Sequence, residues 1–287
     1  MTAPVIVGTH HGAGTADALA LGRWLAEARE APLLVAVVHP APSAIGSGRV
    51  DAEWVADRYR AAERVLAEAR STLGDPPGVE YRIIASSSAA HGLHDLAEQT
   101  GAAMLVVGSR ATAPAARILA GSTAERLLAG SVCPVAVTPA GVGGAPGSAG
   151  RIGVAYVDTP DGRAALDAAA VLARQTKSEL RLVTVVAGGE SALPFMIGDD
   201  AERAFLDTAR ETYERALRHA AATVPDLPTR WEVRSGDVVE ELAALAEVDV
   251  LFCGSRGYGP ARRVLLGGVS TRLLRSAVRP LVVVPRA

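Results

Sequence analysis

The stretch from Cys253 to Leu274, CGSRGYGPARRVLLGGVSTRLL, holds five glycines and four arginines between a short apolar run and a helix-like tail. Residues of these types at this spacing suit an anion. Gly254 and Gly257 would let the backbone approach a ligand or take positive φ, and Gly267 and Gly268 stand where the next helix starts, with free N–H groups. Phosphate is the guest such a bend would take. Arg256, Arg262 and Arg263 flank it and could neutralise a phosphate through charge-assisted bonds. Arg110 and Arg117 repeat Arg256 and Arg263 earlier in the chain, so a structural pairing with helix carboxylates is the alternative reading of these arginines.

Other residues carry weaker chemistry. His10, His11, His39, His91 and His94 should follow the ends of the first three strands, and neutral imidazoles converging on one crevice could take a zinc-like ion. No run among them has a firm metal spacing, so separate surface or capping histidines is the plainer expectation, and no metal site is assigned. The serines of ASSSAAHG (Ala85 to Gly92) lack the G-x-S-x-G turn of an exposed nucleophile and read as caps of the next helix. Cys133 and Cys253 form no C-x-x-C pair and sit beside apolar runs, as reduced core thiols do. No catalytic residue emerges.

The elements that must position these groups occur twice. Shifted by 146, Met104–Val137 falls on Val250–Val283 with 15 identities in 34 positions. A repeat that long is a duplicated domain. Apolar runs alternate with amphipathic ones through each half, giving β-α-β-α-β-α-β-α-β. The apolar runs do not alternate in and out, which suits strands of a parallel sheet covered on both faces. Each half is therefore expected to be an α/β, doubly wound parallel sheet of five strands in the order 3-2-1-4-5, Rossmann-like, with right-handed crossovers. The domains are placed at 1–139 and 151–287, with the glycine-rich 140–150 as linker. Asp51 and Thr15 are expected to cap helices, and a long helix should run from about Asp199 to Ala222. Mixed charges on the long helices predict solvated faces, and Trp24, Trp54 and Trp231 should anchor packing. The final strands PVAV and PLVVV should lie at sheet edges.

Of 287 residues, 49% are hydrophobic and 21% charged, and the net charge is −2. These values fit a soluble globular chain and no general nucleic-acid binder, which would show a basic face. The start, MTAPVIVGTH, has neither a basic leader nor a membrane-length apolar run, so a cytoplasmic protein is expected, with no membrane partner.

The pattern Gly254-x2-Gly257-x9-Gly267 resembles the glycine signature of the universal stress proteins, G-x2-G-x9-G followed by serine or threonine. Strand order, duplication and the prolines Pro134 and Pro280 opening the last strands accompany it, and the resemblance spans nearly the whole chain as a tandem form. It implies ATP, with magnesium, against the glycine loop, and an aspartate ending the first strand beside the adenosine. The chain departs from that pattern. In the second half Val157 stands at the aspartate position with Asp158 one residue on, and Gly268 replaces the serine. In the first half Gly108, Gly121 and Ser122 keep the pattern, while Ala111 replaces the middle glycine and His10 the aspartate.

The resemblance thus implies a stress-response sensor or regulatory module, not a dedicated enzyme. Its nucleotide site would draw on Gly254, Ser255, Arg256, Gly257, Gly267, Gly268, Val157, Asp158 and Val185, and in the first half on Gly108, Gly121 and Ser122. A nucleotide-independent interaction scaffold and a weak ATPase are the alternatives. Pairing through the last strands would make the two halves an internal pseudo-dimer and permits a homodimer. Protein partners are unspecified.

Overall fold

The computed structural model describes residues 2–12, 14–41, 52–109, 122–141, 150–187, 199–255 and 268–285. The chain divides into two compact units, Met1–Ala145 and Pro146–Ala287. Asp51, Arg110, Ala111, Arg117, Gly121, Arg256, Gly257, Arg262, Arg263 and Gly267 lie outside the described residues.

In the first unit β1 (Val5–Thr9), β2 (Leu33–Pro40), β3 (Val79–Ser86), β4 (Met104–Gly108) and β5 (Val135–Thr138) alternate with α1 (Thr15–Ala28), α2 (Ala52–Leu73), α3 (Ala89–Thr100) and α4 (Ser122–Leu128). The strands are all parallel in the order β3-β2-β1-β4-β5. The second unit repeats this with β6 (Arg151–Ala155), β7 (Glu179–Ala187), β8 (Thr229–Gly236), β9 (Val250–Gly254) and β10 (Leu281–Val284). Its order is β8-β7-β6-β9-β10, again parallel. The helices here are α5 (Pro160–Thr176), α6 (Asp199–Ala222), α7 (Val238–Ala243) and α8 (Gly268–Ser276). Each sheet is the expected doubly wound one. β5 and β10 stand last in their units' orders, as the proline-led apolar runs imply.

Covered on both faces, the central strands can be apolar at every position. Val5, Ile6, Val7, Leu105 and Val106 are fully buried, as are Val154, Val250 and Phe252. Strands β3 and β8 differ, with mostly half-exposed residues. Both cysteines are free and buried. No helix among the described residues is long and apolar enough to cross a membrane.

Two sequence expectations change. Thr15 is the first residue of α1 and not its cap; Gly14 caps it in a left-handed conformation with no side-chain bond. The Thr15 hydroxyl turns back instead and donates to the His10 carbonyl at 2.7 Å. Trp54 is no packing anchor: it is 42% exposed, on the solvent side of α2. Basic residues stack on two of the tryptophans, with Arg58 over the Trp54 ring at 5.8 Å and Arg218 over Trp231 at 5.7 Å. The cause is helical periodicity and cross-element packing, which linear adjacency does not display.

Candidate nucleotide cleft

In an open parallel sheet the two strands leaving in opposite directions from the middle open a crevice at their carboxyl ends. In the second unit those strands are β6 and β9, and a cleft of about 240 Å³ opens there. Val157, Val183, Val185 and Leu242 give it apolar walls, and Asp161, Thr184, Tyr213 and Ser270 bring polar atoms. The chain after β6 is held firmly. The Tyr156 amide donates to the Val183 carbonyl at 2.9 Å, and the buried Thr184 hydroxyl donates to the Tyr156 carbonyl at 2.6 Å. Thr159 then caps α5, its hydroxyl accepting from the Gly162 amide at 3.1 Å, and Pro160 opens the helix. Pre-set φ and a satisfied amide make this a sharp strand-to-helix turn.

Gly254 is glycine for a reason internal to the chain. A Cβ there would lie 2.6 Å from the Asp161 carbonyl oxygen, so β9 and the first turn of α5 touch backbone to backbone. Its φ is not positive. The expected freedom for ligand approach or a left-handed turn is replaced by close packing. Gly162 is tighter still, with a virtual Cβ 1.9 Å from the Val157 carbonyl oxygen. Ser255, next along, is buried at 1% exposure, and its hydroxyl has no partner among the described residues.

The expected site residues divide. Val157, Val185 and Gly254 line the cleft, whereas Asp158, Ser255 and Gly268 do not. Asp158 pairs with Arg163 and accepts from the Tyr156 hydroxyl at 3.3 Å, beside the cleft-lining Tyr156. Burial first, then the Asp158 charge, pushes the Tyr156 phenol up to about 12, so it stays a neutral donor. Gly268 opens α8, and a Cβ there would meet none of the described residues within 4 Å.

Two cleft residues escape sequence reasoning. Asp161 is the single carboxylate lining the cleft among the described residues, and its Oδ1 is buried without a partner. Its signal in the sequence is an acidic residue in the first turn of α5, a position usually explained by the helix dipole. Tyr213 arrives from the long α6, and no local pattern marks it. Cys253 lies in the cleft floor, its thiol pushed up to about 12 by burial and thus un-ionised.

The first unit has the counterpart cleft at β1 and β4, about 120 Å³, lined by His10, Thr15, Leu93, Gly108 and Thr123 among others. Leu93 sinks onto Gly8, where a Cβ would lie 2.6 Å from its Cδ1, and so helps to fill the floor. Gly108 again serves packing: its Cβ would stand 2.3 Å from the Gly14 carbonyl oxygen. Ser122 begins α4.

The histidines do not converge. His10 lines the cleft, His11 reaches Glu68 on α2 at 3.4 Å, and the buried His39 stands edge-on to Tyr59. His91 and His94 face a different groove on α3. No group of three metal-ligating side chains occurs among the described residues. Ser88 does cap α3, accepting from the His91 amide at 3.2 Å.

The family model described as the universal stress protein family matches residues 1–139 and 149–285. A universal stress protein of Mycobacterium tuberculosis (strain H37Rv) is 29% identical over 293 residues, covering 98% of this chain and 99% of its own. A Mycobacterium bovis universal stress protein matches to the same extent. Among solved structures, a universal stress protein from Archaeoglobus fulgidus superposes with a TM-score of 0.70 at 18% identity, covering 99% of this chain and 96% of its own. A functionally unknown protein from Pseudomonas aeruginosa gives a TM-score of 0.66 at 14% identity, over 99% and 93% of the two chains. With a family model over each half, the chain belongs to the universal stress protein family and carries two such domains in tandem.

Proposed function

We propose that the second unit is a nucleotide sensor, binding an adenine nucleotide in the cleft between β6 and β9. The cleft itself carries this reading: about 240 Å³ at the switch point, and twice the size of its counterpart. A flat base would lie between Val157 and Val185, and the phosphates would run toward the start of α8. That helix has no acidic residue in its first turn to oppose an anion. Asp161 fits magnesium accompanying the phosphates: a hard cation takes carboxylate oxygen, and Oδ1 is a buried acceptor with no partner among the described residues. Magnesium would supply charge neutralisation at the phosphate end. Binding would alter a surface offered to a protein partner.

A ligand that binds only the folded chain raises its melting temperature. Titration with ATP should therefore shift Tm upward with magnesium, less with EDTA, and not in Gly257→Val. Mass spectrometry of denatured protein should find an adenine compound. No shift in the unmodified protein ends the sensor reading. The scaffold reading then takes its place, and it has its own observation: Gly254 and Gly108 are both explained by packing alone.

A further inference from the structure

Helices α2 and α6 hold the same place in the chain order of the two units, and their inward stripes coincide: the buried Ala69 and Leu73 of α2 fall on the buried Ala220 and Val224 of α6. In that register Ala62 of the first unit matches Tyr213 of the second. Counted from His10 and Val157, Thr184 on β7 likewise holds the place of Val37 on β2. In the first unit Val37, Ala62 and Val65 form an apolar cluster in the core, and none of the three lines that unit's cleft. In the second unit Thr184 and Tyr213 both line the cleft, and Ala216 in the place of Val65 leaves room for the larger ring. Tyr156 is the other tyrosine there, but it is 2% exposed and its hydroxyl donates to Asp158, whereas the half-buried Tyr213 keeps ring surface for a guest. No tyrosine, phenylalanine or tryptophan among the described residues lines the first-unit cleft.

We propose that Tyr213 is the residue that selects the base, stacking its ring on a purine held against the apolar wall of Val157 and Val185. This inference rests on the nucleotide reading above and names what the second unit recognises in its ligand: the face of a two-ring heteroaromatic base, in preference to a one-ring base or to phosphates alone. The valines exclude water from either kind of base but offer no π-face. A phenol ring does, and its attraction for a base grows with the area that overlaps, so a purine gains more from it than a pyrimidine. With an alanine at the matching position, the first-unit cleft has no such ring and no such preference.

Calorimetric titration of the full chain with ATP and with CTP, each with magnesium, separates base from phosphate, because the two ligands share the phosphates and the ribose. The unmodified protein should bind ATP at least about fivefold more tightly than CTP. Tyr213→Leu keeps apolar bulk on α6 and removes the π-face. It should weaken ATP about tenfold or more and CTP by no more than about threefold, while Tyr213→Phe should keep the preference for ATP. Adenine H2 and H8 proton resonances of bound ATP should move upfield under the ring current in the unmodified protein and in Tyr213→Phe, and should lose that shift in Tyr213→Leu; a tyrosine that only packs would not produce it. ATP bound equally well by Tyr213→Leu, equal weakening of ATP and CTP, or adenine resonances without the upfield shift overturns the role of Tyr213 and leaves nucleotide binding in place. ATP that fails to bind the unmodified protein overturns the nucleotide reading and this inference with it.

Discussion

The two units put the same backbone contact at the same bend and surround it with different side chains. In the first, two glycines meet: Gly14, at φ 93°, and Gly108, each of whose virtual Cβ atoms would strike the other segment's backbone within 2.4 Å. In the second, Gly254 meets Asp161, so one partner is free to carry a carboxylate into the cleft. One residue on, the first unit has Thr15, whose hydroxyl reaches back to the His10 carbonyl, and the second has Gly162 pressed on the Val157 carbonyl. Packing at the strand end is thus common to both copies. Chemistry at the cleft is where they part, and a glycine shared by the two is evidence for the first and not for the second.

The harshest way to break this comparison is at the helix start. Gly162→Ala places a methyl where a carbonyl oxygen already lies 1.9 Å away, and backbone on both sides must move. Overpacking against main chain costs about 3 kcal/mol or more, and the urea midpoint should fall accordingly. Thr15→Gly in the first unit should cost about 1–2 kcal/mol, the lost hydroxyl bond plus the added freedom of glycine in a helix. If the two variants unfold alike, the bends are not built differently.

A second test uses charge. The Asp237 carboxyl is held below its ordinary range by the Glu240 amide and by Arg272, whereas Ser88 at the matching cap cannot titrate. A depressed carboxyl contributes its full stabilisation above its unfolded pKa of about 4 and loses it as pH falls through the lower folded value. Asp237→Asn should therefore melt below the unmodified protein at pH 7, with the gap narrowing as pH drops below about 4. Ser88→Ala should lower Tm by an amount that does not vary with pH. A pH-independent gap for Asp237→Asn would remove the ion pair from the explanation.

Much of this architecture is legible in the residues themselves. Apolar runs without alternation announce strands covered on both faces, and the duplication announces two sheets, because burial leaves its mark directly on composition. The cleft is only partly legible. Val157, Val185 and Gly254 can be placed from their position after strands, but Asp161 and Tyr213 reach it from helices whose facing depends on a turn geometry no local pattern encodes. Thr15 shows the same limit. A threonine before an amphipathic run reads as a cap, yet Gly14 takes the cap because its left-handed φ and its contact with Ser109 are settled by tertiary packing. Trp54 shows the converse, since bulk and hydrophobicity suggest an anchor where helix phase puts the ring in solvent.

The smallest expected effect lies at the start of α8, where Gly268 stands in the position that Ser122 holds in α4. Among the described residues nothing lies within 4 Å of its virtual Cβ, and its φ is not positive, so none of them demands glycine there. Gly268→Ser should accordingly change stability by less than about 0.5 kcal/mol, with a slight gain expected from helix propensity. Were the helix start to receive the phosphates, the new hydroxyl would add a donor there and enlarge the ATP-induced Tm shift without altering the shift-free baseline. An unchanged ATP response would mean that the phosphates do not reach α8, and the nucleotide would then have to be placed deeper, against Asp161 and the ends of β6 and β9.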